Sequence, residues 1–226
     1  MRTEPWFHLF SGPLDAAWNM AWDEALLNHV AQLGVPVLRT YGWTSPAATF
    51  GYFQKLQEIE SWTPLRPLIR RPTGGGLVPH DADWTYSVII PPQHPGSQVK
   101  AETSYESQHL WLKRAFDASD VHTELAPCCD ATGPGQCFVG AEKHDLLFRG
   151  RKIAGAAQRR NRLGLLIQGS VHPPVSTLNR GAWEGALLAS RPEAHWSPLV
   201  PSSELRAQVE YLAQSKYLRL EYNGKR

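Results

Sequence analysis

The residues best suited to chemistry in this sequence surround a glycine triplet at residues 74–76, between Arg70-Arg71 and His80-Asp81. Glycine permits positive φ and exposes backbone amides, so such a turn can hold an anion or a carbonyl oxygen. The two arginines could neutralise a phosphate or a carboxylate. An ordinary flexible surface loop is the alternative, because glycine runs also mark turns. The first expectation is therefore an anion-binding turn.

Cys137 is the thiol whose surroundings best suit a nucleophile, because it follows the glycine-rich stretch 133–136. A thiol becomes reactive when it ionises, and a nearby cation lowers its pKa. Lys152 is the leading cation, since the turn at Arg149-Gly150 could fold it back toward Cys137. The alternative is a buried apolar cysteine with a solvated hairpin lysine.

These residues must be positioned by a mixture of helices and strands. Apolar spacing predicts helices at 13–32, 102–116 and 202–214, and a brief one at 53–59. Runs of β-branched and aromatic residues predict strands at 37–41, 47–50 and 85–90. Segments 145–148, 152–157 and 163–171 are typical of antiparallel neighbours joined by tight turns. A short closing strand is expected at 218–222, and proline-bearing loops are expected at 91–98 and 191–201.

Composition narrows the class of protein. The 226 residues are 42% hydrophobic, enough for a real core. No apolar run is long enough to cross a bilayer, and the N-terminus lacks the apolar stretch of a signal peptide. Three cysteines, an odd number, do not make a disulfide framework. We therefore expect a cytoplasmic protein that is not associated with membranes.

The basic stretch at residues 149–162 admits two interpretations, an electrostatic docking site for acidic proteins or a solvated hairpin face. RNA binding is disfavoured because no aromatic residue is interleaved with these cations. We expect neither a nucleic-acid partner nor a metal site. Zinc ligation by His122, Cys128, Cys129 and Cys137 is disfavoured because adjacent cysteines do not match the usual spacing.

Several of these runs resemble the signatures of the biotin and lipoate protein ligase superfamily. The similar segments are 70–81, 85–89, 150–158, 38–43 and 51–54, with Asn19-Met20-Ala21 and Asp23-Glu24 on the first helix. They occur in order from about residue 14 to 172. A glycine triplet alone would be weak evidence, but so many spaced elements identify the chain as a member of this superfamily.

The resemblance implies an α+β fold, with a mixed, largely antiparallel β-sheet flanked by α-helices in a single catalytic domain over residues 1–226. It also implies a site that handles a medium-length acyl chain, with Cys137 and Lys152 as catalytic residues. The glycines are then expected to line the acyl pocket or contact its carbonyl group. The full set of expected substrate-binding residues is Arg70, Arg71, Thr73, Gly74, Gly75, Gly76, His80, Gly155 and Ala156. For His80 a structural pairing with aspartate is an alternative to a general base.

The superfamily contains three lipoylation branches. Lipoate ligases activate the free acid with ATP, octanoyltransferases take octanoate from acyl carrier protein, and amidotransferases move the group between lipoyl domains. Cys137-Phe138 precedes Asp145-Leu146 by eight residues, as in octanoyltransferases with a cysteine nucleophile. Likewise, His80-Asp81 is followed by Ala-Asp, whereas ATP-dependent members tend to continue with Gly-Asn.

Other residues resemble the ligases or depart from both patterns. Gly76 stands where those transferases commonly have arginine, and residues 139–144 lack their usual Pro-Ser and aromatic pattern. The sequence thus favours an acyltransferase that moves an octanoyl or lipoyl group from acyl carrier protein through Cys137 to a lysine. The acceptor would be a lipoyl domain or a protein like glycine cleavage protein H, and no cofactor would be needed. An ATP- and Mg-dependent lipoate ligase is the alternative, followed by a non-catalytic binding protein.

Overall fold

The computed structural model describes residues 3–129 and 140–225. The strands are β1 (Glu4–Leu14), β2 (Val37–Trp43), β3 (Ala47–Phe50), β4 (Leu68–Arg70), β5 (Val78–His80), β6 (Trp84–Ile90), β7 (Glu124–Leu125), β8 (Leu146–Phe148), β9 (Arg151–Asn161), β10 (Gly164–Val171) and β11 (Ala194–Pro198). The helices are α1 (Ala16–Leu33), α2 (Leu56–Ile59), α3 (Pro95–Gln98), α4 (Ala101–Asp117), α5 (Arg180–Ala189), α6 (Ser203–Leu212) and α7 (Leu220–Asn223), with a π-helical turn (Ala213–Tyr217) after α6.

The larger of two sheets has the strand order β11-β1-β2-β6-β10-β9-β8-β7. Strand β1 runs parallel to β11 and to β2, whereas the pairings from β2 to β7 are antiparallel. The smaller sheet has the order β4-β3-β5. The predicted α+β class with a mixed, largely antiparallel sheet is confirmed, as is the meander of β8, β9 and β10.

Helices cover both faces of the larger sheet. Helix α1 packs with α6 and the π-helical turn over one face, where it meets Ile89 of β6 and Leu166 of β10. Helices α4 and α5 cover the other face around Trp111, Phe116 and Trp183. Successive strand residues point to opposite faces, so β6 and β10 contribute to both cores. This arrangement fixes the middle of the sheet between two apolar layers. Within the described residues, no helix combines the length and the apolar character needed to span a bilayer.

The sequence patterns missed β1 and the edge strand β11, and one predicted strand is wrong. Residues 194–198, expected to lie in a loop, form β11 and pair with β1. Residues 218–222, expected to be a strand, turn instead into α7. The side-chain amide of Asn223 donates to the backbone carbonyls of Tyr217 and Arg219 (2.8 and 3.1 Å), so the chain is held in a helical turn here. These short-range bonds leave no extended backbone for a ladder.

Arg70 holds this final segment against the rest of the molecule. Its backbone amide donates to Asn223 Oδ1 (2.9 Å), and its guanidinium donates to backbone carbonyls on both sides. The accepting carbonyls belong to Tyr52, Gln54, Tyr222, Asn223 and Lys225. A guanidinium has five N–H donors, so these bonds match its full capacity. The observed contacts of Arg70 are therefore structural, and its expected substrate-binding role stays a prediction.

We expect Arg70→Met to lower the free energy of unfolding by about 3 kcal/mol or more, because it leaves several buried or partly buried carbonyls without their donor. Urea unfolding followed by circular dichroism measures the change. Arg66→Met is the matched control, since Arg66 is exposed and donates to the nearby carbonyls of Thr63 and Leu65. Equal losses in the two variants would contradict this role for Arg70.

Candidate functional site

The glycine loop, residues 71–77, connects β4 to β5 and is closed around one arginine. The Arg71 guanidinium donates to the carbonyls of Gly74 (2.7 Å), Gly76 (2.6 Å) and Thr49 (3.1 Å). Because Arg71 is almost fully buried, it fixes the shape of the loop from behind. Arg71 thus lies at the predicted site, but its described bonds organise the loop itself.

A second constraint on the loop is its contact with Gly51. A β-carbon added at Gly51 would lie 1.8 Å from the carbonyl oxygen of Gly75, far inside van der Waals contact. Gly75 itself has a φ of 81°, which favours glycine. At Gly74 the position of a β-carbon faces open space. The triplet therefore combines one tightly packed turn with one accessible position.

Thr73 attaches the glycine loop to the larger sheet. Its hydroxyl donates to Gln168 Oε1 (2.7 Å), and the amide of Gln168 donates to Asp23 Oδ2 (2.7 Å). Asp23 also forms a fully buried ion pair with Arg39 at 2.7 Å. The loop is thus connected through one side chain to the charged centre of the sheet. Sequence reasoning did not identify Gln168, whose neighbours give no distinctive spacing.

His80 is paired with Asp83, not with its chain neighbour Asp81. Its Nδ1 lies 2.9 Å from Asp83 Oδ2, its Nε2 lies 2.8 Å from Thr49 Oγ1, and its ring stacks on Trp43 at 3.8 Å. Burial raises the pKa of Asp83, but the charge and hydrogen bond of His80 outweigh it, so the pKa lies below its usual value. Both ring nitrogens therefore have partners, as in the structural alternative for this histidine.

Lys152 forms a buried ion pair with Asp145, with Nζ 2.7 Å from Oδ2 and only 8% of the lysine side chain exposed. Asp145 also accepts hydrogen bonds from the Tyr105 hydroxyl and from the backbone N–H of Glu142. Burial, with the adjacent Asp145 carboxylate, raises the pKa of Tyr105 well above its usual value. The phenol thus stays protonated and donates, which holds the carboxylate in place for Lys152.

Gly155 provides the space that Lys152 occupies. A β-carbon there would lie 2.8 Å from Lys152 Cε and 3.0 Å from Asp145 Oδ1. Ala156 points the other way, packs against the core under α4, and donates its N–H to the Tyr105 hydroxyl (3.2 Å). The structure thus brings Gly155 to Lys152, and it directs the side chain of Ala156 away from them.

Cys137 lies outside the described residues, so its distance from Lys152 stays untested. The chain on either side of that range approaches the Lys152 ion pair. Cys129 Sγ lies 3.1 Å from Glu142 Oε2, and the N–H of Ala126 donates to the Asp145 carbonyl (2.8 Å). The described residues that flank this range, Cys129 and Glu142, therefore lie close to Asp145.

His172, which sequence reasoning did not single out, lies between the two charged pairs. Its N–H donates to the carbonyl of Ile153 (2.7 Å), next to Lys152. Burial lowers the pKa of His172, Asp83 and Asp81 oppose this, and His80 and Lys152 reinforce it. The His172 imidazole therefore interacts electrostatically with the His80–Asp83 pair and with Lys152.

Two surface depressions border this region. A cleft of about 320 Å³ lies between Tyr52, Phe53, Pro72 and Gly74 on one side and Gln158, Arg159 and Arg160 on the other. A groove of about 610 Å³ lies beside His80 and includes Asp81, Glu184 and Arg180. Among residues 3–129 and 140–225, no three histidine, cysteine or acidic side chains are grouped to hold a metal ion.

Comparison with known proteins places these features in a family. The model of the lipoyl protein ligase A/B catalytic domain matches residues 15–177. The octanoyltransferase LipM of Halalkalibacterium halodurans is 35% identical over 182 residues, which cover 74% of this chain and 66% of the relative. The octanoyltransferase LipM of Staphylococcus aureus is 35% identical over 182 residues, covering 75% and 66%. The chain therefore spans 66% of the length of these curated relatives.

Solved structures agree on the fold. Protein Ta0514 of T. acidophilum with bound lipoic acid gives a TM-score of 0.80 at 18% identity, with 99% of each chain covered. Lipoate-protein ligase A bound with ATP gives 0.77 at 17% identity, again with 99% of each chain covered. At such identities the likeness is one of fold.

His109 is a fully buried residue of α4 whose pKa is influenced by Asp145 and Lys152, and it is expected to make the free energy of unfolding depend on pH. Burial lowers its pKa from 6.5 to about 4, although Asp145 acts in the opposite direction. The unfolded chain therefore takes up this proton more readily than the folded one. The stability linked to His109 is complete above pH 6.5 and falls as the pH drops toward 4, by about 2–3 kcal/mol at pH 4.5.

We expect His109→Gln to remove this part of the acid sensitivity, so its free energy of unfolding should change less between pH 7 and pH 4.5 than that of the wild type. Denaturant unfolding at several pH values measures the difference. His122→Gln is the control, because the His122 side chain is 88% exposed. If His109→Gln and the wild type lose stability in parallel, the assignment to His109 is wrong.

Proposed function

Because the chain belongs to the lipoyl protein ligase A/B catalytic-domain family, we propose that it is an acyltransferase of protein lipoylation. It moves an octanoyl or lipoyl group from an acyl carrier protein thioester to a lysine of a lipoyl domain or a glycine cleavage H-like protein. The observation that carries this proposal is the buried Lys152–Asp145 pair over Gly155, in a chain 35% identical to relatives named octanoyltransferase.

The first half of the reaction forms an acyl-enzyme at Cys137. The thiolate attacks the carbonyl carbon of the donor thioester and forms a carbon–sulfur bond to Cys137. The carbon–sulfur bond to the carrier then breaks, and the carrier leaves as a thiolate that takes a proton from solvent. Negative charge develops on the carbonyl oxygen in between. The Lys152 ammonium stabilises that charge, because an oriented cation in a largely water-free position needs little rearrangement.

The second half transfers the acyl group to an amine. The neutral ε-amine of the acceptor lysine attacks the thioester, a carbon–nitrogen bond forms, and the carbon–sulfur bond to Cys137 breaks. The amine loses a proton and the thiolate is regenerated. The same pocket thus serves two protein substrates in turn, and the transfer needs no cofactor because the thioester is already activated.

The remaining predicted residues shape this pocket. Gly74 presents an accessible backbone at the loop, while Thr73 and Arg71 hold the loop against the sheet. The His80–Asp83 pair forms the neighbouring wall, a positioning role that agrees with its buried contacts. Gly76 and Ala156 stay predicted contacts of the acyl group. A cytoplasmic location also stays a prediction.

Incubation with octanoyl acyl carrier protein is expected to increase the intact mass of the protein by one octanoyl group, because the acyl-enzyme accumulates without an acceptor. Cys137→Ser should abolish this increase and the transfer. Mass spectrometry of the intact protein measures the first result, and acylation of an added lipoyl domain measures the second.

Cys128→Ser is the matched control, since Cys128 is an exposed free thiol. An unchanged mass together with full activity in Cys137→Ser would refute the acyl-enzyme. Pyrophosphate exchange that requires ATP and free lipoate would assign the chain to the ligases instead, with ATP and Mg as cofactors.

Gly155→Ala is expected to lower the transfer rate about 100-fold, because its β-carbon displaces Lys152 from Asp145. Some stability should be lost as well, because the separated ammonium and carboxylate are both buried, so the rates are compared well below the unfolding temperature of the variant. Steady-state kinetics and thermal unfolding measure the two effects. Gly185→Ala is the control, because a β-carbon at Gly185 in α5 meets open space. Full activity in Gly155→Ala would show that the transfer does not depend on the position of Lys152 beside Asp145.

A further inference from the structure

The cleft beside the glycine loop carries positive charge without a carboxylate among its lining side chains. One wall consists of Tyr52, Phe53, Pro72 and Gly74, and the other of Gln158, Arg159 and Arg160. The groove beside His80 is different, because it contains Asp81, Asp83 and Glu184. Its Arg180 is already paired with Glu184 at 2.9 Å. An anionic ligand therefore prefers the cleft.

The two arginines of the cleft have different surroundings. Arg160 donates to the Ser97 carbonyl and to Ser104 Oγ (3.1 Å), so its guanidinium is held in place. The Arg159 side chain is 33% exposed and makes a long contact with Glu24, 3.8 Å from its Oε1. Arg159 therefore has the accessible guanidinium, and Arg160 adds fixed positive charge.

Glu24 is already compensated by other groups. Lys216 Nζ lies 2.6 and 2.8 Å from its two oxygens, and the Tyr217 hydroxyl donates to it at 2.6 Å. With Lys216 so much closer, Glu24 neutralises little of the charge of Arg159. The cleft therefore keeps a net positive field at its outer wall.

Strand β9 connects this cleft with Lys152. Gly155, Ala157 and Arg159 alternate along one face, where they pair with Ser170, Gln168 and Leu166 of β10. Gln168 in turn accepts the hydrogen bond from Thr73 of the glycine loop. This face of β9 therefore runs beside the glycine loop. Its two residues before Arg159, Gly155 and Ala157, have no side chain larger than a methyl group.

The distance along this face suits an extended ligand. Four residues at about 3.3 Å per residue separate Gly155 from Arg159 by roughly 13 Å. A pantetheine arm can span that length between its sulfur and its phosphate. Its amides would run beside the accessible backbone at Gly74, and its gem-dimethyl carbon would pack on Tyr52 or Phe53.

We propose that Arg159 binds the phosphate ester of the phosphopantetheine arm that presents the acyl thioester at Lys152. This inference rests on the proposed function, because only a carrier-bound donor brings such an arm. A guanidinium offers paired N–H donors that match two phosphate oxygens. The cleft thereby distinguishes a carrier-bound acyl group from the free acid.

The test compares two acyl-free probes, 4′-phosphopantetheine and pantetheine, which differ only in the phosphate. Isothermal titration of the full chain is expected to give about tenfold tighter binding of the phosphorylated probe. Arg159→Gln should bring the ratio of the two affinities close to one. Arg162→Gln is the matched control, since Arg162 lies in the turn after β9, is exposed, and does not line the cleft.

Equal binding of both probes by the wild type, or an unchanged ratio in Arg159→Gln, would overturn the inference. Tighter binding of AMP than of 4′-phosphopantetheine, lost in Arg159→Gln, would assign the phosphate to a nucleotide and also overturn it. Transfer from the two octanoylated probes separates this outcome from the proposed function. If both octanoylated probes donate the acyl group equally well, the role of Arg159 is wrong but the proposed acyltransferase stands. If the phosphorylated probe binds more tightly but neither probe donates the acyl group, the proposed acyltransferase is wrong.

Discussion

The fully buried ion pair of Asp23 and Arg39 joins the first helix to the middle of the sheet and, through one amide, to the glycine loop. Asp23 also accepts hydrogen bonds from Ser87 Oγ (2.6 Å) and from Gln168, which in turn holds Thr73. A charge so far from water is tolerated only when every partner is present, and removal of one typically costs about 3–5 kcal/mol. The position of the loop is therefore tied to the stability of the whole domain core.

The candidate functional site repeats this arrangement on a smaller scale. Lys152 is matched by Asp145 at 2.7 Å, and His80 is matched by Asp83 at 2.9 Å. Such pairs fix the direction of each donor. In the proposed reaction, the carboxylate of Asp145 limits how far the Lys152 ammonium can move when the oxyanion develops.

Local periodicity predicted the elements that depend on local contacts: α1, β6, α4 and the hairpins of β8 to β10. It missed β1 and β11, because their parallel pairing joins residues far apart in the chain. The glycine loop and Lys152 could be found from residue type and spacing. The partners could not, since Asp83 and Asp81 are equally plausible neighbours of His80 in the sequence, and only the direction of β6 decides between them.

The contacts of Arg70 also order events during synthesis of the chain. Its guanidinium and amide bind residues about 150 positions later, where Asn223 alone contributes two contacts. A nascent chain that has not yet released those residues lacks the carbonyls that close around the start of the glycine loop. Closing so long a loop carries an entropic cost that early contacts must first offset. The start of the glycine loop is consequently closed only after residues 222–225 have been made, so this part of the structure forms late.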